Sequence, residues 1–121
     1  MKKIFFIHWN EKELQEKIEP LKKAGYNIDY HFNTETVADL RENLPDLLVI
    51  CLDRLPSHGR RYAEWLWEAK KRQHIPVVFT GGKPEKINPL KLKLPNAIFC
   101  SNEGLLNTIE KTLIIKYSQS G

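Results

Sequence analysis

Covalent chemistry in this sequence would rest on a thiol and an imidazole. Cys51 closes one apolar run, and His8 follows another, Ile4 to Ile7. With His8 as base, Cys51 would be a nucleophile if its thiol pKa were lowered in an electropositive, partly exposed place, where Arg54 would help. The plainer role for Cys51 is a small buried hydrophobe at a strand end. Neither Cys51 nor Cys100 opens a phosphatase-type loop that closes on Arg. The two cysteines lie far apart, with no Cys-x-x-Cys and no Cys/His cluster at zinc spacing, so neither a metal nor a cofactor is expected. Thr80-Gly81-Gly82-Lys83 precedes a short helix. Glycines, a helix amino terminus and a Lys can hold an anion, with Arg54, Arg60 and Lys86 as further cations. A plain turn explains the same residues.

Charge is distributed unevenly. Nineteen Lys and Arg against fifteen Asp and Glu give a net +4. Residues 1–53 carry seven basic and ten acidic side chains, net −3, while residues 54–93 carry ten basic and three acidic, net +7. The basic zone comprises Arg54, Arg60, Arg61, Lys70, Lys71, Arg72, Lys83, Lys86, Lys91 and Lys93. It suits nucleic acid, a phosphorylated ligand or an acidic protein surface, or it is a solvated surface. Within it, Tyr62, Ala63, Leu66 and Trp67 share one helical arc, and Trp65 falls on the opposite arc beside Arg61, Glu68 and Arg72. An outward Trp suits a partner contact, or it lies flat on the Arg61 guanidinium.

These residues need positioning, and the apolar pattern supplies the elements. Ile4 to Ile7 reads as a strand buried on both faces. Asn10 caps a helix, with Glu13 three residues on, and Leu14, Ile18 and Leu21 form its apolar face. Pro20 should kink that helix, and Gly25 ends it. Asn27 to Phe32 alternates as an edge strand. Thr34 caps a second helix with Val37, Leu40 and Leu44, which Pro45 ends. Leu47 to Leu52 is the most apolar segment, a central strand. Asp53 to Gly59 reads as a loop, followed by a third helix from about Arg60 to Arg72. Ile75 to Phe79 is another buried strand, Lys83 to Lys93 a weak helix interrupted by Pro89, and Ala97 to Cys100 a last strand. Ser101 or Asn102 caps a final helix with Leu105, Leu106, Ile109 and Leu113.

Five strands alternating with helices predict a parallel sheet covered on both faces, a doubly wound α/β domain of flavodoxin-like order 2-1-3-4-5. The 121 residues make one domain over 1–117, with 118–121 as a frayed tail. Apolar residues at 41% and charged at 28% are globular values. The longest apolar run is far short of the roughly 20 residues of a membrane span, and no signal-peptide pattern is present, so a cytoplasmic location is expected. In this order a ligand would lie at the carboxyl ends of the first and third strands, beside His8, Trp9, Asn10, Cys51, Asp53 and Arg54. Cys51 and Cys100 would end strands separated by a third, roughly 9–10 Å apart, too far for a disulfide.

Over nearly its whole length the chain resembles a response-regulator receiver domain. Lys3-Ile4-Phe5-Phe6-Ile7 resembles that family's first strand, Pro45 to Leu52 its third, and Ile75-Pro76-Val77-Val78-Phe79 its fourth. Leu55-Pro56-Ser57-His58-Gly59-Arg60 is similar to the matching stretch of a small group of stand-alone receiver-like proteins. The resemblance implies a phosphorylation site, yet its metal, acceptor and Lys positions hold other residues. The metal-binding acids fall on His8 and Trp9, with Asn10 next. The acceptor falls on Cys51, and Asp53 lies two residues on. The Thr/Ser after the fourth strand falls on Thr80 or Gly81. The Lys after the fifth falls near Cys100 or Ser101, where there is none. Magnesium needs oxygen ligands, which neither His nor Trp offers, and phosphoryl transfer would lack the groups that stabilise it. The expectation is therefore a non-enzymatic, phosphorylation-independent receiver-like module that binds a protein, a second copy of itself included. The alternative is polyanion or nucleic-acid binding through residues 54–93.

Overall fold

A computed structural model of the chain describes residues 2–8, 10–32, 44–53 and 56–120, with side chains except at 56–59 and 115–120. Its five strands are β1 (Lys3–Ile7), β2 (Asn27–His31), β3 (Leu47–Cys51), β4 (Val77–Thr80) and β5 (Ile98–Cys100). They pair in the order β2-β1-β3-β4-β5, and every pair is parallel. Four helices are described: α1 (Glu11–Lys23), α2 (Pro56–Glu68), α3 (Pro84–Lys93) and α4 (Leu105–Ser120). The order is the one the alternation of strand and helix predicts.

The alternate residues of each strand separate the core into two layers. Ile4, Phe6, Leu47, Val49 and Val78 meet Leu14, Ile18 and Leu21 of α1 and Leu105, Ile109 and Leu113 of α4. Ile7, Leu48, Ile50, Val77 and Phe79 meet Ala63 and Leu66 of α2 and Leu90 of α3. All five residues of β3 are fully buried, as a central strand covered on both sides requires. Asp46 fixes the start of the β1–β3 pairing. Its N–H donates to the Lys3 carbonyl at 2.8 Å, and its carboxylate accepts the Lys3 N–H at 2.8 Å.

Local chemistry sets the helix ends. The Asn10 side chain accepts the Glu13 N–H at 3.0 Å, capping α1 as expected. That helix runs through Pro20 to Lys23 and ends before Gly25, whose φ of +97° suits glycine. α2 begins at Pro56, earlier than the expected Arg60, because a proline in the first turn forfeits no intrahelical bond. It ends at Glu68, and Lys70–Arg72 form a separate 3-10 turn instead of completing the helix. α4 begins at Leu105 after a turn in which Gly104 N–H donates to Ser101 Oγ at 3.2 Å. Its backbone stays helical to Ser120, through residues assigned above to a tail. Of the second helix expected from Thr34, only Leu44 is described, and it is exposed and outside any helix. Thr34, Val37 and Leu40 lie outside the described residues. Among the described residues no helix is long and apolar enough to cross a membrane.

Candidate functional site

The strands deliver their carboxyl ends to one edge of the sheet. Register places Cys51 beside Thr80 and Thr80 beside Cys100. Cys51 and Cys100 therefore stand two strands apart, and both are free thiols. Beyond β3, Leu52 N–H still donates to the Thr80 carbonyl at 2.9 Å, and Asp53 follows.

Asp53 gathers the neighbouring elements around its carboxylate. Oδ1 accepts the Gly82 N–H at 2.8 Å. Oδ2 accepts the Asn102 side-chain amide at 2.8 Å and the Cys51 thiol at 3.5 Å. Lys17 of α1 brings its ammonium to 3.9 Å of Oδ2. The buried Thr80 hydroxyl donates to Asn102 Oδ1 at 2.8 Å. Asn102 thus bridges the segment after β3 to the end of β4. Two glycines allow this approach. Gly81 has φ +73°, and a Cβ there would stand 2.6–2.8 Å from the Asp53 carboxylate. Gly82 has φ +85°, and its Cβ would meet the Leu52 Cβ at 2.7 Å.

The electrostatics follow from these contacts. Partial burial alone would raise the Asp53 pKa, but hydrogen bonds from Gly82, Asn102 and Cys51, with the Lys17 charge, hold it below the ordinary 3.8. Burial pushes the Cys51 thiol up to about 12, and the Asp53 charge adds to the rise. A thiol of that kind stays protonated at neutral pH and is a poor nucleophile, so the proposed Cys51–His8 pair loses its chemical basis. His8 is fully buried at the end of β1, with its Nε2 3.7 Å from Glu13 Oε1.

The other residues singled out in the sequence divide among several places. Asn10 is the α1 cap, Ser101 makes the turn before α4, and Gly81 lies against Asp53. Trp9 and Arg54 lie outside the described residues. Arg60 pairs with Glu64 at 3.1 Å. Lys83 and Lys86 are exposed, and four backbone donors of their loop are engaged. Gly81 N–H donates to the Cys100 carbonyl, Gly82 N–H to Asp53, and the Lys86 and Ile87 N–H groups to the Lys83 carbonyl. Those four donors are therefore turned to the chain itself rather than to an anion.

Trp65 does not point outward. It is half-buried against the Leu66 and Phe79 layer, and the guanidinium over its ring at 4.1 Å belongs to Arg72, not Arg61. Arg61 is exposed. The reason is the break after Glu68: the 3-10 turn folds Arg72 back onto α2, where it also donates to the Trp65 carbonyl at 2.9 Å and the Leu66 carbonyl at 3.1 Å.

Lys17, Gly82 and Asn102 of the Asp53 network were absent from the receiver-site positions read in the sequence, though Gly82 stood in the candidate anion loop. Lys17 has a signal, since it sits one turn beyond Glu13 and beside the buried Ile18. Gly82 has one too, as the second of a glycine pair. Asn102 has none, because it reads equally well as a helix cap. A cleft of about 450 Å³ opens beside the network, lined by Asp53, Gly82, Phe99, Asn102 and neighbours. It lies at the ends of β3, β4 and β5, displaced from the expected ends of β1 and β3.

A receiver fold implies a Mg²⁺ ion at this edge, and the residues present do not fit one. Magnesium takes oxygen ligands, yet both Asp53 oxygens face hydrogen-bond donors, Cys51 offers a thiol, and His8 is an imidazole.

No protein-family model matches the chain, and no curated protein matches it. Solved structures do. The chemotaxis response regulator CheY4 of Vibrio cholerae is 17% identical, with a TM-score of 0.72 over 92% of this chain and 98% of that one. The signal receiver domain of a signal transduction histidine kinase from Syntrophus aciditrophicus is 13% identical, with a TM-score of 0.68 over 92% and 89%. The phosphorylated cyanobacterial phytochrome response regulator RcpA is 16% identical, with a TM-score of 0.60 over 83% and 78%. The chain therefore has the fold of receiver domains. At such identities the likeness extends to the fold alone.

Proposed function

We propose that this chain is a receiver-like signalling module that works by protein–protein interaction and without phosphoryl transfer. The carrying observation is the Asn102 bridge, which donates to Asp53 Oδ2 and accepts from Thr80 Oγ1, each at 2.8 Å. An acceptor carboxylate needs a free oxygen to attack phosphorus and a cation to gather the phosphoryl oxygens. Here both oxygens are held by donors of the chain itself. Lys17 provides one compact charge on the α1 side. On this reading the edge of the sheet is tied in a single arrangement, and the module presents a constant surface to its partner.

Incubation with acetyl phosphate and Mg²⁺, followed by intact-mass measurement, tests the reading. The expected spectrum shows no added phosphate. A stoichiometric adduct that maps to Asp53 and disappears in Asp53→Asn would sink it.

A further inference from the structure

The cleft beside the Asp53 network carries charges that the network does not use. Helix α3 lines it with Ile87 and Lys91, one turn apart on the same side of the helix. Phe99 of β5 and Glu103 of the turn that follows β5 line it as well. Ile87 and Phe99 are half-buried, while Lys91 and Glu103 are exposed. The plane of Phe99 is fixed by its neighbour in register, the buried Phe79, whose ring stacks with it at 5.2 Å with an interplanar angle of 17°. The Lys91 ammonium lies 5.6 Å from the centroid of the Phe99 ring. An aromatic surface and a cation therefore border the same space.

The lining charges differ in how far the chain itself engages them. Asp53 is held by Gly82, Asn102 and Lys17. Among the described residues neither Lys91 nor Glu103 forms an ion pair. One unpaired cation and one unpaired anion thus flank an aromatic and aliphatic surface. A nucleotide fits this lining badly, because the Asp53 and Glu103 carboxylates would repel its phosphates. A purely apolar ligand fits badly too, since it would desolvate both charges without pairing either. The volume of about 450 Å³ lies in the usual range of small-molecule sites.

The geometry points to a binding site for a small aromatic zwitterion, of the class of the aromatic amino acids, in the cleft between α3 and β5. Its ring packs offset on Phe99 and against Ile87. Its carboxylate meets Lys91 and its ammonium meets Glu103. Both ionic contacts stand at an exposed rim, so they orient the ligand while burial of the ring supplies most of the affinity. The Asp53 bonds stay as they are. The inference therefore does not rest on the reading of the chain as a protein-binding module.

The test uses the full chain and four probes: L-phenylalanine, L-leucine, phenethylamine, which lacks the carboxylate, and 3-phenylpropionate, which lacks the ammonium. NMR titration locates and quantifies binding. Phenylalanine is expected to shift the signals of Ile87, Phe99 and Glu103 saturably, and each other probe to bind about fivefold more weakly. Lys91→Gln should weaken phenylalanine and phenylpropionate about fivefold and leave phenethylamine unaffected. Glu103→Gln should weaken phenylalanine and phenethylamine to the same degree and leave phenylpropionate unaffected. Melting temperatures of both variants should match the parent, since both side chains are exposed. The inference is overturned if phenylalanine gives no saturable shift, if leucine binds equally well, or if the two variants fail to discriminate between the charged probes. None of these outcomes alters the acetyl phosphate result, so this inference and the non-phosphorylated reading fail separately.

Discussion

Gly81 and Asp53 depend on each other. A methyl group at position 81 would stand 2.6 Å from Asp53 Oδ1, on backbone with φ +73°. Gly25 has φ +97° and open space around it. Gly25→Ala should therefore cost about 1 kcal/mol of backbone strain. Gly81→Ala should cost about 2–4 kcal/mol, because strain and displaced hydrogen bonds combine. Urea midpoints of the two variants measure the difference, and equal losses would mean that the carboxylate moves aside freely. A second expectation concerns acid. The folded Asp53 pKa lies below the ordinary 3.8, so its ionised form favours the fold. That contribution is complete above the unfolded value and is lost as pH falls through the folded value. The side chain is 34% exposed, so solvent screens the effect. The stability gap between the parent and Asp53→Asn should stay flat from about pH 8 to pH 5 and shrink below about pH 4. A gap that widened in acid would contradict the observed network. Asp53 itself was legible in the sequence as a carboxylate just past a buried strand. Asn102 was not, because its partners Asp53 and Thr80 lie 49 and 22 residues away.

Elements were legible where the chemistry is local. The α1 cap at Asn10 could be read from four residues, and the bond to Glu13 is there. The end of α2 could not, since a helical arc drawn through Arg72 assumes that the helix continues. The break after Glu68 reverses the roles around it. Arg72 closes α2 by donating to two of its last carbonyls and covering Trp65. Trp67 Nε1–H and Gln73 Nε2 add bonds to the Ile75 and Trp67 carbonyls, at 2.8 and 3.1 Å. Arg72→Ala should lower stability by about 1–3 kcal/mol, as charge-assisted caps and a cation over an aromatic ring are lost together. Arg72→Lys should restore little, because an ammonium cannot span both carbonyls and stack on the ring. Thermal or denaturant unfolding of both variants reads this directly, and full rescue by Lys would mean that charge alone matters. Trp65→Ala should cost much the same as Trp67→Ala, since both rings are half-buried in one layer.

At the scale of the molecule, the sheet order was legible because each buried strand is an apolar run and each crossover a helix. Right-handed connections leave few ways to wind five of them. The distribution of charge was legible as an excess in residues 54–93, but the sequence did not separate the neutralised cations from the exposed ones. Arg60 is matched by Glu64 and Arg72 is folded onto Trp65, while Lys86, Lys91 and Lys93 remain at the surface. The position of β3 has a kinetic meaning. Its backbone is paired on both sides, to β1 and β4, and its five side chains are all buried. β2 and β5 each have a single paired neighbour and lie at the sheet edges. Solvent deuterium should therefore enter the edge strands through local opening, within a small fraction of the global unfolding free energy. The amides of Leu48 to Cys51 should exchange only when the whole domain opens, so their rates would report its global stability without any denaturant.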